Sequence, residues 1–168
     1  MEFVCERLDR AHDLSPFDSG MPELDEWLRT SAAHADRIRS ARTFVWHDGG
    51  MVACAYFSLS GHLLAKGELP PGVRRGSPDV VPAILLARLA LDQRRHGRGL
   101  GGELLLSAFA RAYQADQNAA ARFLVVDAID SNAGGFYEHY GFVPIPGVSR
   151  LVLKMSVVEA VLARASAQ

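Results

Sequence analysis

The residues whose types and spacing could do the most chemistry are Gln93-Arg94-Arg95-His96-Gly97-Arg98-Gly99-Leu100-Gly101-Gly102. Glycines let a backbone approach a ligand closely, and a helix starting beside them offers unpaired N–H groups and a partial positive charge. Each dipole contact is worth only ~0.3–1 kcal/mol, but Arg94, Arg95 and Arg98 add formal charge to them. An anion, most simply a pyrophosphate, suits such a turn. The competing reading is a glycine-rich connection with a solvated basic loop. Gly97-x-Gly99-x-x-Gly102 also satisfies the dinucleotide-binding fingerprint, in which the strand runs straight into the first glycine and an acid follows about 20 positions later. Here Asp92 to His96 intervene, Asp116 falls near the expected helix end, and Asp127 lies further still. That fingerprint is misplaced.

The elements that must position this turn can be read from hydrophobic period. Ala83 to Leu91 is apolar except for Arg88, as in a buried strand, and Leu100, Leu104, Ala108 and Ala112 mark one face of a following helix. Phe123 to Ile129 reads as a second buried strand, Asn132 to Tyr140 as a short helix, and Gly141 to Val143 with Arg150 to Met155 as a closing hairpin. The tail from Val157 has helical character. Towards the N-terminus, Phe3 to Leu8 suggests a strand, and Asp18 or Ser19 would cap a helix that starts at Pro22 and runs towards Arg37. Thr43 to His47 and Met51 to Leu59 are β-rich around a tight Asp48-Gly49-Gly50 turn, and Gly67 to Pro82 is expected to be a long functional loop. The order β-α-β-β then β-α-β-α-β-β predicts one mixed α/β (α+β) domain over 1–168.

Composition narrows the function classes. With 168 residues, 49% hydrophobic and 22% charged, the chain is neither disordered nor collagen-like. Its 18 basic and 19 acidic residues give no overall sign of a nucleic-acid binder, yet Arg29, Arg37, Arg39 and Arg42, then Arg74 and Arg75, then Arg94 to Arg98 are locally basic. Each such run could equally be a solvated face. Cys5 and Cys54 match no paired motif and read as free thiols. The six histidines show no metal-binding spacing, so no metal is expected. Without a basic, apolar leader or a membrane-length apolar run, the chain is expected in the cytoplasm.

Two motifs go further. Arg94, Gly97 and Gly99 form R-x-x-G-x-G, and Ala133 to Phe142 reads A-x-x-F-Y-E-x-x-G-F about 40 residues on. In this order they resemble the signatures of the GNAT superfamily of N-acetyltransferases. The resemblance implies a central mixed, mostly antiparallel sheet flanked by helices, and acetyl-CoA as acetyl donor. It implies that Leu89, Ala90 and Leu91 hold the pantetheine arm through their backbone. Arg94, Arg95, His96, Gly97, Arg98, Gly99, Leu100 and Gly101 would take the pyrophosphate, and Asn132 would touch the cofactor arm. Tyr137 matches the family's general acid, although its position between Phe136 and Tyr140 also suits a core tyrosine. With pKa values near ~10 for tyrosine and ~8.5 for a thiol, full proton transfer is uphill by roughly 2 kcal/mol, which favours hydrogen-bond donation with late transfer. Asp92, Asp127 and Glu138 are available as bases, and none stands out.

The first half adds a finer resemblance. Pro16-Phe17-Asp18-Ser19-Gly20, Leu24-Asp25-x-Trp27-Leu28, Ala41 to Val45 and Ala87 to Asp92 look like the GNAT toxins of type II toxin–antitoxin modules. That resemblance implies acetylation of the α-amine of aminoacyl-tRNA, a ribbon-helix-helix antitoxin as partner, and a homodimer. The alternatives are a GNAT enzyme acting on a small amine or protein N-terminus, and a degenerate domain that binds acetyl-CoA without turnover.

Overall fold

The computed structural model describes residues 2–168. Strand β1 (Val4–Arg7) is followed by helices α1 (Pro22–Thr30) and α2 (Ala32–Arg37) and strands β2 (Arg42–His47) and β3 (Ala55–Ala65). A one-turn helix α3 (Pro71–Arg74), strand β4 (Val80–Leu91), helix α4 (Leu100–Asn118) and strand β5 (Phe123–Asp127) come next. Helix α5 (Ser131–His139), strands β6 (Val143–Pro144) and β7 (Arg150–Lys154) and helix α6 (Met155–Ser166) complete the described residues. The sheet order is β1-β2-β3-β4-β5-β7-β6. Antiparallel ladders join β1 to β2, β2 to β3, β5 to β7 and β6 to β7, and β4 with β5 is parallel. This is the mixed, mostly antiparallel sheet expected from the sequence.

The chain forms two compact units: the residues up to Ser60 with Ala87–Ala108, and Gly61–Leu86 with Phe109–Gln168. In the first, Phe17, Leu28, Ala32, Val45, Tyr56 and Ala90 make the core, with Leu24 and Trp27 packed against it. In the second, Leu64, Leu69, Val81, Phe123, Val125 and Val152 do so. The parallel pairing of β4 and β5 covers only Ala83↔Phe123 to Leu86↔Val126, although β4 continues to Leu91.

Several expected boundaries shift for local reasons. The cap of α1 is Met21, which makes no side-chain cap bond. Ser19 instead donates its hydroxyl to buried Asp25 (2.6 Å) and accepts from the Met21 N–H (3.2 Å), so the Asp25 carboxylate reaches back over the helix start. The single helix expected to Arg37 breaks at Ser31, whose φ of −124° is not helical. Beside it, the Thr30 hydroxyl bonds back to the Glu26 carbonyl, a local alternative to helical pairing that Ser and Thr offer. The turn after β2 is also longer than expected. Met51 takes φ +65° and Val52 bridges to Asp13, which diverts residues 51–53 from the hairpin and delays β3 to Ala55.

The segment expected to be a structureless loop holds α3 and a short 3-10 turn at Lys66–Glu68, and β4 begins within it at Val80. Arg122 fastens it by donating to Ser77 Oγ (2.8 Å) and to the Arg75 carbonyl (3.2 Å). β5 stops at Asp127 rather than Ile129. Helix α4 matches expectation, with Leu104, Leu105, Ala108, Phe109 and Ala112 all buried. The tail is ordered as α6, with Met155 and Val158 buried.

Leu28 is 1% exposed at the centre of the first core. Leu28→Ala is expected to destabilise the fold by about 2–5 kcal/mol, because the cavity adds to the lost transfer term. Urea unfolding should show a lower midpoint with an unchanged slope.

Candidate active site

The glycine turn grows out of the end of β4. Asp92 is 1% exposed and accepts from Arg94 N–H (3.0 Å), Arg94 Nε (2.8 Å), Arg94 Nη2 (2.7 Å) and the Asp18 N–H (3.1 Å). The hydrogen bonds from Arg94 are the main cause of holding its carboxyl down at about 2. Arg94 Nη2 also donates to the Pro16 carbonyl (2.9 Å), and the Gln93 amide donates to Asp18 Oδ2 (2.8 Å). The turn is thus bolted to the segment that precedes α1. His96 Nε2 donates to the Leu91 carbonyl (2.8 Å), closing the base of the turn.

Past His96 the backbone opens. Gly97 and Gly99 take φ +77° and +75°, the left-handed region that other residues reach only with strain. Among the described residues, no backbone bond engages the N–H groups of Gly97, Arg98 or Gly99, and α4 begins at Leu100 with its first amides unpaired by geometry. Of the arginines, Arg94 is committed inward. Arg95 pairs with Asp48 (3.3 Å) and lies over the Phe3 ring (5.2 Å), and Arg98 stands exposed at the rim. A recess of about 380 Å³ lined by Arg94, Arg95, Arg98, Cys54 and Asp48 adjoins the turn. The turn thus presents unpaired amides and one exposed guanidinium side by side.

Tyr137 lies in the other compact unit, on α5. The Asp130 carboxylate caps that helix by accepting from the Ala133 N–H (2.8 Å), and Gly141 at φ +98° ends it. Phe136 and Phe142 meet the Tyr137 ring edge-on, each with centroids 5.3 Å away. The ring is 8% exposed, and burial pushes its hydroxyl up to about 12. The hydroxyl has no partner among the described residues, yet it is not among the solvent-sealed polar atoms. The hydroxyl therefore stays protonated and can donate a hydrogen bond. Asn132 is exposed in the first turn of the same helix.

A model of the acetyltransferase (GNAT) domain matches residues 39–144. The chain belongs to the GNAT acetyltransferase family. It is 39% identical over 136 residues to a tRNA-acetylating toxin of Mycobacterium tuberculosis, a match covering 81% of each chain. It is 26% identical to a probable toxin TacT of Sinorhizobium fredii over 95% of this chain and 94% of that one. Among solved structures, a tyrosine-to-phenylalanine variant of KacT superposes with a TM-score of 0.88 at 22% identity, covering 96% of this chain and 99% of that one. AtaT complexed with acetyl-methionyl-tRNA superposes at 0.86 and 24%, over 95% and 99%.

Within this GNAT chain the carboxylates available as bases are already engaged or exposed. Asp127 takes a two-pronged pair from Arg150 (2.8 and 2.9 Å), which lowers its pKa, and Asp92 is held at about 2. Glu138 is exposed. Neither bound carboxylate is basic enough to take a proton from an ammonium group near neutral pH.

The spacing of the histidines concealed one cluster, formed by Glu6, His12 and His47 from three separate segments. Both Nε2 atoms face Glu6 Oε1, at 2.8 and 2.7 Å. Both Nδ1 atoms accept a backbone N–H, from Asp9 (2.9 Å) and Gly49 (3.0 Å). Each Nδ1 is therefore unprotonated and each Nε2 carries its hydrogen towards Glu6. A metal at Nε2 needs the opposite tautomer, which would set Nδ1–H against a backbone N–H. The cluster ties β1 to β2 and to the turn before α1. The hydrogen bond from His12 is the largest cause lowering the Glu6 pKa.

The low Asp92 pKa has a stability consequence. The folded value of about 2 lies below the ordinary 3.8, so its contribution is complete above about pH 4 and is lost as pH falls towards 2. Asp92→Asn is expected to lower stability near neutrality and to flatten the acid limb. Thermal unfolding from about pH 6 down to about pH 2 reads both effects.

Proposed function

We propose that the chain, as one functional domain over 1–168, transfers acetyl from acetyl-CoA to the α-amine of aminoacyl-tRNA in the cytoplasm, which blocks translation. The observation that carries the acceptor class is the 39% identity to a tRNA-acetylating toxin over four-fifths of both chains. The donor fits the glycine turn, where open amides at Gly97 to Gly99 and exposed Arg98 offer what a pyrophosphate requires. Leu89 to Leu91 lie beyond the stretch of β4 paired with β5, which suits them to the pantetheine arm. Bound acetyl-CoA supplies the acetyl thioester.

In this reading Tyr137 Oη donates to the sulfur as negative charge develops there. With the hydroxyl raised to about 12 and a thiol near ~8.5, complete transfer is uphill by roughly 5 kcal/mol. Tyr137 therefore stabilises the leaving group by hydrogen bonding first and gives up its proton late. The same burial keeps the tyrosine fully protonated at physiological pH. No base from the chain is required, since an α-amine titrates near ~7.7–8.0 and is partly neutral already. Relatives have been solved with an antitoxin, and an antitoxin partner, of the ribbon-helix-helix type, with a homodimeric assembly belongs to the same proposal.

Tyr137→Phe keeps the packed ring and deletes the hydroxyl. Its turnover is expected to fall by about 10²–10³-fold with acetyl-CoA affinity retained. Incubation of the wild type with labelled acetyl-CoA and total charged tRNA should place label on the aminoacyl end, and expression should arrest growth unless Tyr137 is replaced. Label only on small amines would transfer the reading to an ordinary GNAT enzyme. Acetyl-CoA binding with no labelled product at all would leave a degenerate domain.

A further inference from the structure

Arg88 interrupts the apolar run of β4, and its surroundings are unusual for a half-buried guanidinium. Its Cζ stands 3.7 Å from the centroid of the Trp27 ring. Trp27 in turn stacks on Tyr56 (6.2 Å, 13°), which meets Phe17 edge-on and donates its hydroxyl to the Leu24 carbonyl (2.7 Å). The ring under Arg88 is therefore held in place by a chain of aromatic contacts. No carboxylate or carbonyl among the described residues takes any of the guanidinium N–H donors. Arginine that leaves bulk water ordinarily finds an acid, and here burial alone pulls the pKa down without an acid to restore it. A flat, immobilised cation with its donors unused is built for an anion that arrives from outside.

Its position says which anion. Side chains alternate along β4, so Arg88 shares a face with Ala90, which lies in the core formed with Phe17, Leu28 and Tyr56. Arg88 immediately precedes Leu89 to Leu91, the stretch assigned above to the donor's arm. On the α1–α2 layer of the same unit, a groove of about 380 Å³ is lined by Arg10, Arg29 and Arg37, against Asp9 and Asp36, over apolar Leu8, Leu14 and Leu28. Arg10 and Arg37 have no ion-pair partner among the described residues. A single-stranded RNA end is recognised in part by arginine forks on phosphate, and this layer carries the arginines.

We infer that Arg88, laid on Trp27, is the receptor for a phosphodiester near the 3′ end of the acceptor RNA. The inference rests on the aminoacyl-tRNA reading of the site. Arg88 acts as a substrate-recognition residue, setting the acceptor against the donor strand.

The test compares two acceptors, charged tRNA and a 3′-aminoacyl-adenosine that carries the same amine without a phosphate. Arg88→Met keeps an unbranched stem on the indole and removes the charge. Its kcat/KM on charged tRNA is expected to fall roughly 10- to 100-fold, mainly through KM, the size of a lost charge-assisted hydrogen bond. The loss on the aminoacyl-adenosine should be smaller by about tenfold. The slope of log KM against log salt for charged tRNA should shrink by about 0.7, the share of one single-strand phosphate. Arg88→Lys keeps a point charge without the planar fork, so KM should be intermediate and the salt slope unchanged. Equal losses on both acceptors, a loss confined to kcat, an unchanged slope in Arg88→Met, or weakened acetyl-CoA binding by calorimetry would overturn the inference. If Arg88→Met does not fold, the two acceptors decide with Arg88→Lys. A wild type active on charged tRNA with Arg88→Met equally active removes this inference alone. A wild type inactive on charged tRNA and active on other amines removes the underlying reading as well.

Discussion

A carboxylate with no access to solvent closes the end of β4, and the geometry of the glycine turn follows from it. Asp92 receives three N–H groups from Arg94 and one from Asp18, so the chain must bend back on itself directly after the strand. That bend presents the next amides outward and leaves Gly97 and Gly99 in conformations only glycine takes without strain. The pair also determines what Arg94 can do. Its guanidinium is spent on Asp92 and the Pro16 carbonyl, which makes Arg94 a positioning residue for the turn, while Arg98 stands exposed beyond it. Only the carboxylate of this pair is buried, and removing Arg94 would leave that charge without its main partner. The turn is therefore held in one shape.

β4 is the element through which the proposed chemistry is organised. Its first part, Ala83 to Leu86, pairs in parallel with β5 and belongs to one compact unit. Its second part, Ala87 to Leu91, continues past that pairing into the other unit with Arg88 on one face, and the proposal gives the edge left by β5 to the donor's arm. Backbone amides are strong hydrogen-bonding groups that must be satisfied. A parallel strand that runs beyond its partner is thus an economical way to make a linear binding site. Tyr137 reaches its role by a different route. A capped helix and two flanking phenylalanines bury its ring and raise its pKa, and a donor that stays protonated at every physiological pH results.

Much of this was legible in the residues. The amphipathic spacing of Leu100, Leu104, Ala108 and Ala112 specified α4 because helical period is a local property of the chain. The two glycines of R-x-x-G-x-G marked the turn because positive φ is a demand on residue type. Two of the differences come from contacts distant in sequence: Asp13 drew Val52 out of the hairpin, and Arg122 ordered the proline-rich connection through Ser77; the cap at Ser19 changed through Asp25, six residues on. None of these pairings leaves a periodic trace.

By itself, then, the sequence determined the family, the succession of strands and longer helices, and the positions of the glycine turn and Tyr137, since all of these rest on residue type and local spacing. Only the tertiary structure decided which charges are available. It committed Arg94 to Asp92, paired Asp127 with Arg150, gathered His12 and His47 around Glu6 in tautomers unsuited to metal, and left Arg88 on Trp27 without an acid. The reason is physical: a charge's function depends on its partners within a few ångströms, and residue spacing does not specify them, whether they lie two residues away, as Asp92 does from Arg94, or 41, as His47 does from Glu6.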